Sequence, residues 1–518
     1  MSEEKTGAEA LVGTLADLGV TACFANPGTS EMHLVTALDS EPRIRSVLCL
    51  FEGVATGAAD GFARISGQPA MTLLHLGPGY LNAGANIHNA RRAKVPMINV
   101  IGDHAVYHQR YDAPLASDIF GLAAPNSRWI KSVDQVEEAG KLASEAWAAS
   151  FGPEPGPVSL ILPADSAWNP GGENGPKAAA PQPRAPDIER IKVAAEKLRV
   201  STNPVCLING SALLDDGLKH AARLKAAGIR IITDTFVTRQ ARGAGRFAPE
   251  RLPYFAEGAL ESLEGVDLML LAGTNAPVAF FAYPNTPSLL VPDDCESYSL
   301  GGADYDSAAL LAALADELGA DSAAPAAPLN RPDLPSGPLT AVDVGKIIAH
   351  HLPENAIVAD DGVTGSLVTF APAASAAPHD WMMLTGGAIG IGMPLALGAA
   401  IAAPDRQVVC LSGDGAGMYT NQALWSMARE QANIVTVVFV NHSYRILNIE
   451  LHRTGAGNPG PTAANMLSLG APEIDWEKLA SSQGVEAITA TTCEAFSEAL
   501  QKGFSTSGPL LIAAVVPG

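Results

Sequence analysis

A chain of 518 residues exceeds what one hydrophobic core can serve, since cores stop growing near roughly 250 to 300 residues, and about three domains are predicted. Apolar residues make up 47% and charged residues 17%, a globular composition that excludes disorder outside linkers. A formal net charge of −21 with no cluster of Lys and Arg excludes a surface that tracks nucleic-acid phosphates.

The opening Met1–Gly7 is polar with both signs of charge, so no secretory or transit signal is predicted and a cytoplasmic location is expected. Cys23, Cys49, Cys206, Cys295, Cys410 and Cys493 lack metal-like spacing and read as reduced core residues. Short aliphatic runs alternating with helical patterns predict parallel sheets covered on both faces, an α/β fold of three doubly wound domains.

In the first segment, strands are predicted near Ala22–Ala25, Val47–Leu50, Ala70–His75, Met97–Gly102 and Val158–Leu162, with helices Gly53–Ser66 and Tyr80–Arg92 among them. The first strand runs into the turn Asn26-Pro27-Gly28-Thr29. Glu52 closes an apolar run, Val47 to Phe51, and meets a Gly/Ala-rich helix; as plain structure it is a first-turn acid favoured by the helix dipole. His75 ends the third strand, where an imidazole titrating near neutrality can serve as acid or base or simply satisfy a hydrogen bond. His88 follows in a helix, and His104 and His108 fall in a loop over 103–116, where histidines are usually solvated.

The Pro- and Gly-dense stretch 166–186 reads as a linker between a domain over 1–165 and a second over 187–320. Strands are predicted there near Val205–Asn209, Arg230–Thr233 and Leu268–Ala272; Phe280, Phe281 and Tyr283 line an apolar pocket or belong to the core. A second linker, 321–338, precedes a third domain over 339–518, with strands near Ala356–Ala359, Gln407–Ser412, Ile434–Val440 and Leu510–Val516. Nothing between Asp380 and Asp405 carries a full charge, but the run is rich in Gly and Ala with Pro394 in its middle, and predicts a buried turn and helix rather than a membrane span.

The strongest constellation is in this third domain. One strand ends in Gly413-Asp414-Gly415-Ala416-Gly417 and the next in Asn441-His442-Ser443. Ligands of an open parallel sheet collect at the carboxyl ends of its strands, so both turns face one crevice. Glycines admit phosphate oxygens to backbone N–H groups, and the Asp carboxylate and Asn amide oxygen are hard ligands suited to Mg²⁺. A buried diphosphate needs such a cation, because an isolated charge in a low-dielectric site is very costly. Thr364, in Asp361-Gly362-Val363-Thr364-Gly365, adds a phosphate contact or belongs to an Asx-type turn.

These turns, spaced by the interval Asp414 to Asn441, resemble the cofactor motif of the thiamine-diphosphate enzymes of the acetolactate synthase, pyruvate decarboxylase and benzoylformate decarboxylase group. The run from Glu52 through Arg64 is similar to the same family. The resemblance implies that Asp414, Asn441 and the backbone carbonyl of Ser443 bind the metal, and that Gly413, Gly415, Ala416 and Tyr444 contact the cofactor. It places a pyrimidine-contacting carbonyl at Gly387 and the wedge that bends the cofactor at Ile389. It makes Glu52 the carboxyl group that hydrogen-bonds the pyrimidine and starts proton removal, His75 an acid–base group and Thr29 a substrate contact.

Val440 stands where the family often has a second Asn, and Ala416 where a Ser is common. The region 276–284 lacks the second active-site His of benzoylformate decarboxylase. The expected reaction is decarboxylation of a 2-oxo acid, carboligation to an aldehyde or second oxo-acid acceptor, or both. A homodimer or homotetramer is expected, with no nucleic acid or membrane partner. A flavin-dependent 2-oxo acid oxidase of the same family is the alternative. A nucleotide-binding oxidoreductase without thiamine is more remote, because Gly390-x-Gly392 runs on to Leu395 without the third small residue of a dinucleotide fingerprint.

Overall fold

A computed structural model describes residues 4–517. Its first sheet is wholly parallel and built from β1 (Ala22–Ala25), β2 (Arg45–Leu48), β3 (Ala70–His75), β4 (Met97–Asp103), β5 (Ile130–Ser132) and β6 (Pro157–Pro163), in the order β2-β1-β3-β4-β6-β5. The middle segment supplies β7 (Pro204–Ile208), β8 (Arg230–Thr233), β9 (Gln240–Arg242), β10 (Glu250–Arg251), β11 (Leu268–Ala272) and β12 (Glu296–Gly301), paired as β10-β8-β7-β11-β12. The third sheet joins β13 (Ala356–Asp361), β14 (His379–Met383), β15 (Val408–Gly413), β16 (Ile434–Val440), β17 (Glu486–Ala490) and β18 (Leu510–Val515) in the order β17-β18-β16-β15-β13-β14-β9. Its edge is β9, borrowed from the middle segment and antiparallel to β14.

Each sheet has a switch point inside it where successive connections leave in opposite directions: between β1 and β3, between β7 and β11, and between β13 and β15. Crevices open at the carboxyl ends of strands at such points. The turns after β1 and β3 therefore share one crevice, as do those after β13 and β15.

The domains are not beads on a string. One apolar core runs from the first domain into the third, joining Val54, Ala58 and Phe62 to Met393, Leu397 and Ala399. Helix Glu52–Ser66 crosses helix Gly392–Ala402 so closely that a Cβ at Gly61 would run into the Leu395 carbonyl oxygen. The uncharged stretch before Asp405 is thus the buried helix expected, and no described helix is long and apolar enough to cross a membrane. All six cysteines are unpaired, five of them buried.

The predicted linkers are fastened down. Asn174 is bonded to Lys5 and Asp17, and the amides of Ala324, Ala327 and Asn330 bond to carbonyls of Ala222, Arg246 and Ser375.

Arg64 ties the three domains together. Its guanidinium pairs with Asp60 at 2.7 and 2.8 Å, reaches the carbonyls of Thr238 at 3.0 Å and Met383 at 2.7 Å, and donates to Thr385 Oγ1 at 3.2 Å. Both charged side chains are fully shielded from solvent. Removing one member strands the other in a low-dielectric core, so Arg64→Ala is expected to destabilise by roughly 3 to 5 kcal/mol, read as an earlier urea midpoint.

Candidate active site

The residues singled out from sequence gather in two clusters, on two different domains. In the third domain Asp414 closes the β15 turn at the first position of a short helix, Asp414–Gly417. Its Oδ2 accepts the N–H groups of Asn441 at 3.0 Å and His442 at 2.7 Å, and its Oδ1 accepts that of Gly415 at 2.9 Å. This brings the Asp414 and Asn441 turns together. Asn441 Oδ1 accepts the Ser443 N–H at 3.0 Å, and the Ser443 hydroxyl is held by Leu467 and Asn448. Burial pushes the Asp414 carboxyl up from its ordinary value despite the backbone donors. A buried carboxylate beside an amide oxygen, with no Lys or Arg paired to it among the described residues, fits a hard divalent ion coordinated by oxygen.

A cavity of about 570 Å³ adjoins this cradle and is lined by Gly387, Ile389, Tyr419 and Tyr444, with Phe280 and Phe281 from the middle domain. Tyr283 lies outside the lining and donates its hydroxyl to Glu450 at 2.7 Å. At Gly387 φ is +78° and no atom lies within 4 Å of where a Cβ would stand, so the backbone there is open to a ligand. That conformation disfavours other residues.

Val363, a β-branched residue at φ +47°, forms part of the wall and precedes helix Thr364–Thr369. Such strain costs of order 1 to 3 kcal/mol and concentrates at functional sites. Asp361 is not a turn residue as read from sequence but the last residue of β13; its Oδ2 accepts the N–H groups of Gly390 at 2.7 Å and Gly392 at 3.1 Å. Burial pushes its carboxyl up to about 7.

The first domain reaches the Gly-rich turn through one helix, Leu76–Ala93. His88 Nε2 lies 3.0 Å from the Gly386 carbonyl oxygen, Asn89 Nδ2 donates to the Ala388 carbonyl at 2.8 Å, and the Ala388 N–H returns to Asn89 Oδ1 at 3.3 Å. Asn89 was not singled out in the sequence, since its partner is 299 positions away.

Glu52 opens helix Glu52–Ser66, is 6% exposed, and its Oε2 accepts from Asn82 Nδ2 at 3.0 Å. Within one chain it does not line the cavity that holds Gly387 and Ile389.

His75 ends β3, with Nδ1 2.8 Å from Glu31 Oε2 and 3.3 Å from Ser30 Oγ. Glu31 is fully buried, and it also accepts the Gly28 N–H at 2.8 Å and the Ser30 hydroxyl at 2.6 Å. Thr29 is exposed at the same turn, and it is Ser30 and Glu31 that meet the imidazole. A carboxylate can only accept, so it fixes the hydrogen on Nδ1 and leaves Nε2 without a partner among the described residues. Glu31→Gln can present an amide donor instead and reverse that tautomer. Turnover is expected to fall about 100-fold with cofactor affinity unchanged, checked by steady-state kinetics beside a cofactor titration. His104 stays in the loop, but His108 falls in a short helix, Val106–Gln109; their rings are tilted by 60° with centroids 5.3 Å apart, and neither lines the cavity.

Comparison with known proteins supplies the family. Residues 5–129 match the family profile described as "Thiamine pyrophosphate enzyme, N-terminal TPP binding domain", and residues 363–514 match its "C-terminal TPP binding domain". A Mycobacterium tuberculosis protein provisionally named acetolactate synthase large subunit IlvX is 51% identical, with 99% of each chain covered. Benzoylformate decarboxylase of Pseudomonas aeruginosa is 28% identical over 95% of this chain and 96% of its own. The solved structure of a Rhodococcus jostii thiamine-diphosphate-dependent 4-hydroxybenzoylformate decarboxylase superposes with a TM-score of 0.86 at 24% identity, over 99% of both chains. That last likeness speaks for the fold alone.

Proposed function

The chain belongs to the thiamine pyrophosphate enzymes, and from that premise we propose that it decarboxylates a 2-oxo acid and passes the product to a proton or to a second carbonyl compound. The observation that carries the reading is the pairing of Asp414 with the Asn441 turn beside the cavity of Gly387 and Ile389.

We assign Asp414, Asn441 and the Ser443 carbonyl to Mg²⁺, and Gly413, Gly415, Ala416, Thr364 and Tyr444 to the diphosphate end of the cofactor. When bound, thiamine diphosphate supplies the electron sink that lets CO₂ depart from the 2-oxo acid. The protein's own part is positioning and proton transfer. Ile389 and Gly387 shape the cofactor seat, Glu52 holds and shares a proton at its carboxyl oxygens, and His75 exchanges a proton with substrate through Nε2. The cavity walls exclude water while the reacting carbonyl is held.

Because Glu52 lies outside its own chain's cavity, the complete site needs a second copy, with the first domain of one protomer facing the third of its partner. Exposed apolar side chains support this: Leu50 and Leu81 flank Glu52 and Asn82 in sequence, and Met418 and Tyr419 follow the metal-binding turn. A homodimer is the least active unit, and we place it in the cytoplasm on its unpaired cysteines. Equilibrium sedimentation showing active monomers would remove this arrangement.

The test of the whole reading is CO₂ release and product analysis across aliphatic and aromatic 2-oxo acids, with and without aldehyde acceptors. Turnover that depends on thiamine diphosphate and Mg²⁺ is expected, and its absence across the panel would refute the assignment. One observation keeps the flavin-dependent oxidase in view. A cavity of about 530 Å³ lies at the carboxyl edge of the middle sheet, where Asn209, Asp234 and Thr274 face Arg91, Lys94 and Arg128. A yellow protein that reduces an electron acceptor would favour it; a colourless one with decarboxylase activity favours the main reading.

A further inference from the structure

Among the described residues, the cavity that receives the cofactor in the reading above is lined by one cation, Arg251 at the end of β10. Its Nε donates to the Thr235 carbonyl at 2.6 Å. Among the described residues, its two outer nitrogens donate to no protein atom and it forms no ion pair. The guanidinium sits 4.8 Å from the Phe370 ring centroid and 5.4 Å from that of Phe236. Phe236 in turn packs edge-on to Phe280, with centroids 5.3 Å apart, so the planar head is held by aromatic walls and not by a counter-ion.

Among the described residues, none of the acids of the same cavity pairs with Arg251. Glu450 bonds to Tyr283 and pairs with Arg453 at 2.8 Å. Asp360 accepts from Ser366, from the Gly362 N–H at 3.2 Å and from Trp381 Nε1 at 2.9 Å. Asp361 accepts two backbone N–H groups at Oδ2, its buried Oδ1 meets no donor among the described residues, and burial favours the proton-bearing form. Asp360 also faces a second guanidinium, that of Arg242, which lies 3.3 Å from the Phe370 centroid. Two arginines thus pack against one aromatic ring near one fully committed acid, and Arg251 is the one that lines the cavity.

A half-buried guanidinium whose outer nitrogens open into a cavity, with no ion pair among the described residues, is built to take an oxyanion with two parallel bonds. We propose that the substrate, or the acceptor, carries a second acidic group remote from its reacting carbonyl, a carboxylate or like oxyanion, and that Arg251 selects it. This rests on the cavity being the cofactor and substrate site.

The test compares 2-oxoglutarate with 2-oxopentanoate, which share a five-carbon chain and differ in the second acid, both as decarboxylation donors and as acceptors. In the cofactor-loaded wild type, kcat/KM in one of these roles is expected to favour the diacid by at least about 10-fold. In Arg251→Met that ratio should fall by roughly 100-fold, mostly through KM, and Arg251→Lys should recover part of it.

Calorimetric binding of unreactive glutarate against pentanoate to the loaded wild type gives the same comparison without a variant or turnover, and tighter glutarate binding is expected. An unchanged ratio in Arg251→Met, equal losses for both acids, or preference of the wild type for the monoacids in both roles would overturn the proposal. Loss of thiamine diphosphate affinity in Arg251→Met would also overturn it, since Arg251 would then serve the cofactor. A wild type that binds no thiamine diphosphate at all fails the site reading instead, a separate result.

Discussion

Glu52→Gln is expected to keep thiamine diphosphate affinity within about threefold while losing roughly 100- to 10,000-fold in turnover, the range spanned by proton transfer from a positioned side chain. The substitution preserves shape, and the glutamine carbonyl can still accept from Asn82 Nδ2 as the carboxylate does at 3.0 Å. What it cannot do is hold and release a proton. The backbone frame should not respond, because helix Glu52–Ser66 is fixed by its crossing with helix Gly392–Ala402 and by Asn86, whose Nδ2 donates to the Gly53 carbonyl at 2.7 Å. Calorimetric cofactor titration, thermal unfolding and steady-state rates together separate the two outcomes. Turnover near that of the wild type would show that Glu52 is only a first-turn helix acid.

Much of the fold was legible because parallel strands buried on both faces read as unbroken aliphatic runs. β1, β3, β8, β11 and β16 fall where the sequence placed them, and their side chains are almost entirely buried. β2 ends earlier than expected, at Leu48, which leaves Cys49, Leu50 and Phe51 as the lead into the helix. The strands that escaped notice are short, or polar at one end, or at an edge: β5, β9, β10, β12, β14 and β17. β9 has only three residues and completes another domain's sheet, a relation with no local signature.

The same division holds at the site. Asp414, Asn441 and Glu52 lie in compact motifs at strand ends, where glycines and a hard ligand stand within a few positions. Glu31, Asn82, Asn89 and Arg251 do not. Glu31 meets His75 across 44 positions and is an ordinary turn acid until that contact is seen. Arg251 is a two-residue strand's final side chain, and its free guanidinium means something only once the cavity around it is known.

Asp414→Ala should abolish the response of the protein to its cofactor. A ligand at 100 times its dissociation constant stabilises the folded state by about 2.7 kcal/mol, so wild-type protein should melt later when Mg²⁺ and thiamine diphosphate are added together. The alanine variant should show no such shift and no turnover, because the one carboxylate among the proposed metal ligands is gone. A second measurement separates loss of the ligand from simple damage.

In the metal-free wild type, burial raises the Asp414 carboxyl above its ordinary value of roughly 3.9. The folded protein therefore holds that proton more tightly than the unfolded chain. The contribution of this group to stability is complete below the unfolded value and is lost as pH rises through the folded one. Alanine at this position should flatten that part of the stability profile while lowering it overall, through the loss of the three N–H bonds that Asp414 accepts. Saturating Mg²⁺ and cofactor should reverse the slope in the wild type, because the ionised carboxylate then has a cation against it and is favoured. A wild-type profile indifferent to Mg²⁺ would mean that this acid holds the Asn441 turn in place and binds no metal.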